Sequence, residues 1–242
     1  MVLYAGHFHG LIDPLTLVST WSLLSRAMKQ SRFVTLEGGE GVGKSTLMTG
    51  LSQWLKNRGI TVIHTREPGG TPIADAIRQL FKSPPTGDAI TAEAEALLVS
   101  AARVQHVANV IKPALDSGTW VICDRFVDST RVYQGLFGGV PLNDLEWLIK
   151  FSTVGIEPDL TFLLDCDVEL SSRRIGGRSK ETTPDSTERY DHADHRVHDK
   201  LRDGFRKVAG FYPARFFILD ASLPPEQVLA QACSELERRW GL

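Results

Sequence analysis

A glycine-rich segment near residue 40 constrains this chain more than any other feature, because it lies directly between an apolar run and a helix-length stretch. Glycines let the backbone turn so that successive N–H groups point inward at a phosphate, and the N-terminus of a following helix adds partial positive charge. A lysine then supplies a point charge to the β and γ phosphates, and a serine hydroxyl can bind Mg²⁺. The segment matches G-x-x-x-x-G-K-[ST] and predicts an ATP site formed by Gly38, Gly39, Glu40, Gly41, Val42, Gly43, Lys44, Ser45 and Thr46.

Five short apolar runs are separated by helix-length segments, and this alternation is typical of a parallel sheet covered by helices. It predicts an α/β chain with the three-layer P-loop NTPase fold, in which helices flank a five-stranded parallel sheet. We expect Pro113 to break or kink the helix around it near residues 111–112, because proline lacks the N–H that a helix interior needs. The predicted strands are 33–36, 61–64, 120–123, 160–164 and 216–219, and the predicted helices are 43–57, one beginning at Pro72, 91–109, 144–153 and 225–240.

The start of the chain and one internal segment are treated separately. Residues 1–27 are mildly apolar and carry no basic residue before Arg26, so they lack the charged start of a signal peptide. We expect a single domain over residues 28–242, with 1–27 as a peripheral extension for which disorder or an early start codon are the two interpretations. Residues from about 174 to 190 combine glycine, proline and many polar side chains, which predicts a mobile lid.

Charge and cysteine usage argue against several classes of partner. The net charge of −2, from 27 basic and 29 acidic side chains, provides no broad field for nucleic acid or an anionic membrane. No apolar run approaches the length that spans a bilayer. Cys123, Cys166 and Cys233 are sparse and unpatterned, which favours buried hydrophobic thiols in a reducing, cytoplasmic compartment over a disulfide framework.

Charged residues at the ends of predicted strands indicate how a second phosphate could be bound. Ligands of open α/β sheets bind at the carboxyl ends of the strands, where Arg66 and Arg125 follow the second and third strands. An acceptor monophosphate repels the phosphates of ATP, so cations besides Lys44 are needed, and a guanidinium can grip a phosphate with two parallel hydrogen bonds. Asp124, which follows the third strand, is a candidate Mg²⁺ ligand together with Ser45. The alternatives are surface salt bridges for the arginines and an N-cap for the aspartate.

Four further motifs resemble those of the thymidylate kinase family. They are 66–71 (REPGGT), 101–105 (AARVQ), 124–129 (DRFVDS) and 132–135 (VYQG). The resemblance extends from about residue 33 to residue 240, in the motif order and spacing of that family. It implies the reaction ATP + dTMP → ADP + dTDP in dTTP synthesis, with Mg²⁺, in a homodimer.

The resemblance also implies roles for individual side chains by their positions in these motifs. Arg66 and Arg125 would hold the phosphate of dTMP, and Glu40 would face the 3′-hydroxyl of its deoxyribose. Tyr133 would crowd the 2′ position and so disfavour ribonucleotides. Arg174 and Asp220 would bind ATP, with Asp220 and Ala221 near the adenine. Arg103 and Gln134 would address the edge of the thymine ring. The implied dTMP-binding residues are Glu40, Arg66, Val99, Arg103, Arg125, Ser129, Tyr133 and Gln134.

The distribution of basic residues is similar to the lid-arginine type of the family, which is common among its bacterial members. The variable positions of the P-loop carry no cation, whereas the lid region carries Arg173, Arg174, Arg178 and Arg189. The resemblance favours Arg178 as the catalytic arginine, with Arg174 second, because such a group stabilises charge on the transferred phosphoryl group when the lid closes. The implied catalytic set is Lys44, Asp124, Arg125 and Arg178.

One departure from the family keeps other functions open. Val99 stands where the family usually stacks a phenylalanine on thymine, and the aromatic contribution of about 0.5–1.5 kcal/mol is lost. A kinase acting on dUMP, dCMP or a deoxynucleoside is therefore one alternative, and a P-loop ATPase or regulatory switch without an acceptor is another. His192, His195 and His198 have the spacing of metal ligands but no fourth ligand, which favours solvated helix residues.

Overall fold

The computed structural model describes residues 31–82, 84–85, 89–177 and 194–242. The strands in this part of the chain are β1 (Phe33–Glu37), β2 (Val62–Arg66), β3 (Trp120–Asp124), β4 (Leu160–Asp165) and β5 (Phe216–Asp220). They form one sheet in the order β2-β3-β1-β4-β5, and every neighbouring pair is parallel. The predicted α/β architecture with a five-stranded parallel sheet is therefore confirmed.

Helices connect the strands and cover both faces of the sheet. Two π-helical segments, Val107–Ile111 and Arg131–Phe137, continue directly from α-helices. The α-helices of the described residues are α1 (Lys44–Lys56), α2 (Pro72–Lys82), α3 (Ala92–His106), α4 (Lys112–Asp116), α5 (Val127–Thr130), α6 (Leu142–Thr153), α7 (Val168–Gly176), α8 (His195–Phe211) and α9 (Pro225–Trp240).

The three layers follow from central strands, β1, β3 and β4, that are buried on both sides. All five residues of β1 are buried, and successive side chains of a strand point to opposite faces of the sheet. Leu51 of α1 and Leu236 of α9 belong to the core on one face. Ile111 and Ile149 pack with Val121 of β3 on the other face. Burial of apolar surface on both faces fixes the sheet between its helices.

The strands extend one or two residues beyond their predicted carboxyl ends. Leu36 and Arg66 both pair with Asp124, and Asp165 pairs with Asp220, because the backbone ladder does not depend on side-chain polarity. The extension places a charged side chain at the end of every strand. The charged edge that the sequence suggests is thus part of the sheet itself.

Helical structure departs from the sequence prediction in several places, and the 17-residue helix α8 is not among the predicted helices. The disruption expected near Pro113 is a π-helical segment that ends at Ile111, after which the helix continues through α4. The first residues of the predicted lid, 174–176, are helical and end α7. The continuous helical stretch from α5 into its π-helical continuation was not predicted, because its polar and apolar residues show no clear helical period.

The predictions for the three cysteines and for His198 can also be compared with the structure. Cys123, Cys166 and Cys233 are free and buried, as expected. The prediction of a solvated His198 is wrong, because this residue lies on the same face of α8 as the core residues Leu201 and Phe205 and is buried with them.

Several sequence predictions fall outside the described residues. They concern residues 1–27, Arg178, Arg189 and His192. In the part of the chain that the structure describes, no helix combines the length and the apolar character needed to cross a membrane.

Candidate functional site

A cleft of about 800 Å³ opens at the carboxyl edge of the sheet, where the strand ends and the N-terminus of α1 meet. Lys44, Arg66 and Arg125 all line it, although they come from three separate parts of the chain. The convergence follows from the order of the strands, since β2, β3 and β1 are neighbours and run in the same direction. The cleft therefore collects the cations that two adjacent phosphate groups require.

The glycine-rich loop between β1 and α1 is held close to its surroundings. Gly38 and Gly41 have φ angles of 132° and 72°, which favour glycine. A Cβ at Gly38 would lie 2.4 Å from the carbonyl oxygen of Leu164, and one at Gly41 would lie 2.5 Å from that of Ser171. Both positions thus require glycine for close backbone approach as well as for conformation.

Lys44 is the first residue of α1 and lies folded over this loop. Its Nζ donates hydrogen bonds to the carbonyl oxygens of Gly38 at 3.2 Å and Gly39 at 2.7 Å. These carbonyl contacts hold the ammonium group in the cleft before any phosphate is present. A triphosphate lying along the loop would meet a cation that is already in place.

A second, smaller cavity of about 110 Å³ adjoins the cleft, and Glu40 and Arg125 line both. Its size and partly apolar character suit a base ring rather than a phosphate chain. The sequence-predicted acceptor residues that line this cavity are Glu40, Val99, Arg103, Arg125, Ser129, Tyr133 and Gln134.

Arg125 lies between the two cavities in an unusual backbone conformation. Its φ angle of 66° is rare for a residue other than glycine, and its N–H donates to the carbonyl oxygen of Leu36 at 2.9 Å. Its guanidinium donates from Nη2 to Glu40 at 2.8 Å and from Nη1 to the Ser129 hydroxyl at 3.1 Å. The strained backbone and these hydrogen bonds together direct the Arg125 side chain toward the junction of the two cavities.

Glu40 is a buried carboxylate surrounded by donors. Burial by itself would raise its pKa, but Arg125, Lys44 and the hydroxyl of Tyr133 lower the pKa to about 2. The Tyr133 hydroxyl donates to Glu40 at 2.9 Å, and burial raises the pKa of Tyr133 well above its usual value. At neutral pH this part of the site therefore presents an ionised carboxylate beside a neutral phenol.

Arg103 is almost fully buried in the wall of the smaller cavity. Its Nε donates to Glu67 at 2.7 Å, and its Nη2 donates to the Thr130 hydroxyl at 2.9 Å. Its third nitrogen, Nη1, is buried and has no hydrogen-bond partner among the described residues. Because a buried donor is costly to leave unpaired, Nη1 is suited to an acceptor atom of a bound ring.

Ser45 and Asp124 line the larger cleft together with Lys44. A hydroxyl and a carboxylate are the oxygen ligands that Mg²⁺ prefers, so these two residues fit the ion that the sequence implies. Clusters of three or more His, Cys, Asp or Glu side chains suited to a metal are absent from the described residues. A magnesium ion here would thus depend on water and on phosphate oxygens for its remaining ligands.

The far end of the larger cleft contains Arg174 and Ala221. The Nη1 atom of Arg174 donates to the carbonyl oxygen of Ala221 at 2.8 Å, and both residues line the cleft. Asp220 is not part of this lining in the described structure; its carboxylate accepts hydrogen bonds from the backbone N–H and hydroxyl of Ser222. Of the two residues expected near the adenine, Ala221 therefore lines the cleft and Asp220 does not.

Sequence reasoning assigned no role to several charged residues of this region, among them Glu67 and Glu95 in the lining of the smaller cavity. Arg78 of α2 is buried and lines both cavities, and it donates to the carbonyl oxygen of Pro68 at 3.3 Å. Glu37, the last residue of β1, is buried beneath the site and accepts from the backbone N–H of Phe126 at 2.8 Å and the hydroxyl of Ser129 at 2.6 Å. Arg78 belongs to a strongly amphipathic helix, where a lone arginine among buried positions is a usable signal.

The fold and the paired cavities define a class of protein: a P-loop phosphotransferase whose triphosphate cleft adjoins a pocket for a small acceptor. A family profile described as "Thymidylate kinase" matches residues 36–232. The chain belongs to the thymidylate kinase family.

Individual relatives agree with this assignment. The chain is 45% identical over 205 residues to a protein named thymidylate kinase from Bradyrhizobium sp. strain BTAi1, covering 85% of this chain and 89% of that protein. It is 42% identical over 212 residues to one from Chromohalobacter salexigens, covering 88% and 98% respectively. Among solved structures, thymidylate kinase from Ehrlichia chaffeensis is similar with a TM-score of 0.66 and 29% identity, covering 85% of this chain and 98% of that one.

Proposed function

We propose that this protein transfers the γ-phosphoryl group of ATP to dTMP, giving ADP and dTDP in the supply of dTTP. The observation that carries the proposal is the convergence of Lys44, Arg66 and Arg125 in one cleft, directly beside a pocket with hydrogen-bonding groups for a base. A triphosphate and a monophosphate repel each other at close range, and fixed cations offset this repulsion. A regulatory ATPase without an acceptor would have no use for such a pocket.

The triphosphate of ATP lies along the loop between β1 and α1. Its backbone N–H groups and the N-terminus of α1 attract the phosphates, and Lys44 exchanges its carbonyl contacts for phosphate oxygens. Arg174 and Ala221 lie at the end of the cleft where the nucleoside would extend. Ser45 and Asp124 would hold Mg²⁺, which neutralises phosphate charge when it is bound.

The acceptor dTMP occupies the smaller cavity with its phosphate toward the cleft. Arg125 donates to this phosphate from the junction of the cavities, and Arg66 approaches from the end of β2. Glu40, held ionised by Arg125, accepts from the 3′-hydroxyl of the deoxyribose, while the Tyr133 ring blocks a 2′-hydroxyl. Positioning and charge neutralisation carry the reaction, since the acceptor phosphate is already anionic and needs little help from a base.

The lid and the domain limits remain proposals from the sequence. Arg178 is proposed as the catalytic arginine, with Arg174 as the second candidate; Arg178 lies outside the described residues. Residues 28–242 are proposed to form one kinase domain with its lid near 174–190, and the family match over residues 36–232 supports this extent. Free, buried cysteines support a reducing, cytoplasmic compartment.

A homodimer is the proposed assembly, and exposed apolar side chains support it. The helices α2, α3 and α6 lie side by side, with α3 packing on both of the others. Large exposed apolar residues cluster on these helices, and such surfaces commonly mark protein contacts. We call five of them the apolar face: Ile73 and Leu80 of α2, Leu97 of α3, and Trp147 and Phe151 of α6.

The proposed function is tested by a coupled assay with ATP, Mg²⁺ and separate acceptors dTMP, dUMP, dCMP and thymidine. We expect dTMP to be the best acceptor, and we expect Lys44→Ala to lower turnover about 10²-fold or more through lost phosphate charge. The matched control is Lys112→Ala, because Lys112 is exposed on α4 and contacts only Asp116 in the salt bridges described. Faster turnover of dCMP or thymidine, or ATP hydrolysis that does not depend on an acceptor, would overturn the proposal.

A further inference from the structure

A buried hydrogen bond in the smaller cavity involves a residue that the sequence motifs did not single out. Glu95 lies in the first turn of α3, and Gln134 lies in the π-helical segment after α5; both are buried, and both line the cavity. The Nε2 atom of Gln134 donates to Oε2 of Glu95 at 3.2 Å. The two residues are 39 positions apart, so the contact depends on the tertiary fold.

The chemistry of this pair determines which end of the Gln134 amide faces Glu95. The carboxylate oxygen of Glu95 accepts from the amide nitrogen of Gln134, which can only donate. The amide oxygen is bonded to the same carbon and is directed away from Glu95. Without the carboxylate, the amide could rotate by half a turn and exchange its oxygen and nitrogen at little cost.

Arg103 supplies the complementary group in the same cavity. A guanidinium only donates, and the buried Nη1 of Arg103 has no hydrogen-bond partner among the described residues. A bound ring thus meets a donor from Arg103 and an acceptor from Gln134. This combination matches a ring edge that carries an oxo group beside an imino N–H.

We propose that Glu95 is a positioning residue for base selection, which orients the Gln134 amide so that its oxygen reads the imino N–H of the acceptor base. The inference rests on the proposed function and deepens it. Thymine and uracil present an oxo group and an imino N–H, whereas cytosine presents an amino group and an unprotonated nitrogen. With the amide fixed, cytosine would place its amino group against the donor of Arg103 and its unprotonated nitrogen against the oxygen of Gln134. A site built around such hydrogen bonds discriminates strongly against a base that cannot form them.

The experiment measures kcat/KM for dTMP, dUMP and dCMP in the wild type and in Glu95→Gln, which keeps the size of the side chain. A glutamine at this position can donate as well as accept, so it tolerates either orientation of Gln134. We expect the ratio of dCMP to dTMP efficiency to rise about tenfold, with the loss for dTMP mainly in KM. We expect dTMP and dUMP to decline in parallel, because they share the same ring edge.

Two controls separate base selection from a general structural role. Glu93→Gln alters an exposed glutamate in the same first turn of α3, and it should leave all three efficiencies unchanged. In a Gln134→Ala background, Glu95→Gln should have no further effect on the dCMP to dTMP ratio, since Glu95 acts through Gln134. If Glu95→Gln fails to fold by circular dichroism, Glu95→Asp, which shortens the reach, is used with the same expected direction.

The outcomes distinguish this inference from the proposed function. A wild type without dTMP kinase activity would remove the proposed function and the inference together. An active wild type whose Glu95 variants lose all three acceptors by the same factor, or lose none, would overturn the inference alone. An equal effect of Glu95→Gln with and without Gln134 would also overturn it.

Discussion

Glu37 shows how one buried side chain can support a site without contacting either substrate pocket. It accepts hydrogen bonds from the backbone N–H groups of Phe126 and Ser129 and from the Ser129 hydroxyl. It therefore ties the end of β1 to the turn that carries Arg125. Burial first, and the Asp128 carboxylate second, raise the pKa of Glu37 to about 7, although Arg125 and these hydrogen bonds oppose the shift.

This raised pKa predicts a pH-dependent stability. Between pH 4.5 and about 7 the folded chain retains a proton on Glu37 that the unfolded chain releases, so the free energy of unfolding declines as pH rises through this window. Glu37→Gln removes the titrating group and therefore that decline. We expect the difference in the free energy of unfolding between wild type and Glu37→Gln to change by on the order of 3 kcal/mol across this pH window. Urea unfolding at several pH values measures this difference.

The comparison needs a variant that changes charge without changing the site. Glu169→Gln alters an exposed glutamate on α7 and should retain the pH dependence of the wild type. Identical slopes of stability against pH in Glu37→Gln and wild type would show that Glu37 does not bind the proton.

Among single residues, the sequence predicted those whose chemistry is visible in a motif. Lys44, Arg66 and Arg125 were predicted to converge because each follows a strand, and the structure brings them into one cleft. Glu37 and Glu95 were not found, since each acts through hydrogen bonds to residues about 40 or more positions away in the chain. No local pattern encodes such partners.

One buried carboxylate of the short helix α5 connects this helix to the segment before β5. Asp128 is fully buried and accepts from Arg131 at 2.9 Å and from two nitrogens of Arg215 at 2.6 and 2.8 Å. Arg215 directly precedes β5, so the ion pairs join the turn after β3 to the opposite side of the sheet. The segment that follows Arg125 is thus held by Glu37 at Phe126 and by the ion pairs of Asp128.

Removing this charge should be far more costly than removing an exposed one. Asp128→Asn removes the carboxylate that pairs with the half-buried Arg215 and leaves Arg131 paired with Glu146 alone, and we expect a loss of about 3 kcal/mol in the free energy of unfolding. Asp116→Asn is the matched control, because Asp116 pairs with Lys112 on the surface and should cost less than about 1 kcal/mol. Urea unfolding of both variants at neutral pH makes the comparison, and similar losses would contradict it.

At the scale of elements, the predictable parts were those with a strong local pattern. The helix predicted over residues 225–240 matches α9, since proline stands in its first turn and a glycine in left-handed conformation follows its end. The helix α7 was assigned in part to a lid, because its arginines and glycines obscure the buried positions Val168 and Ser171. Tertiary packing, rather than propensity, determines such an element.

Across the whole molecule, the arrangement of strands explains why the site lies where it does. The order β2-β3-β1-β4-β5 places β1 at the centre, so the phosphate-binding loop has neighbours on both sides. Arg66 and Asp124 come from the side of β2 and β3, whereas Ala221 comes from the side of β5. The groups for the acceptor nucleotide and those for the donor nucleotide therefore lie on opposite halves of one edge of the sheet. The alternation of strands and helices in the sequence predicts that edge but not the order of the strands along it.

The apolar face leads to a prediction about assembly. Trp147 and Phe151 are stacked with ring centroids 5.5 Å apart and are 65% and 63% exposed, which is unusual for large aromatic side chains in a monomer. If this face joins two copies of the chain, a charge placed there must be buried without a partner, and the dimer should dissociate. We expect the wild type to sediment as a dimer and Trp147→Glu or Phe151→Glu to sediment as a monomer at micromolar concentration.

The control places the same charge on a different exposed aromatic residue. Phe211 at the end of α8 is 59% exposed but lies outside the apolar face, so Phe211→Glu should remain dimeric. Dimers in all three variants would place the interface elsewhere, and a monomeric wild type would remove the homodimer. The helix α3 carries Glu95 and Arg103 on its buried side and Leu97 on the apolar face, so dissociation of the dimer should also weaken dTMP binding. A raised KM for dTMP in the monomeric variants would show this.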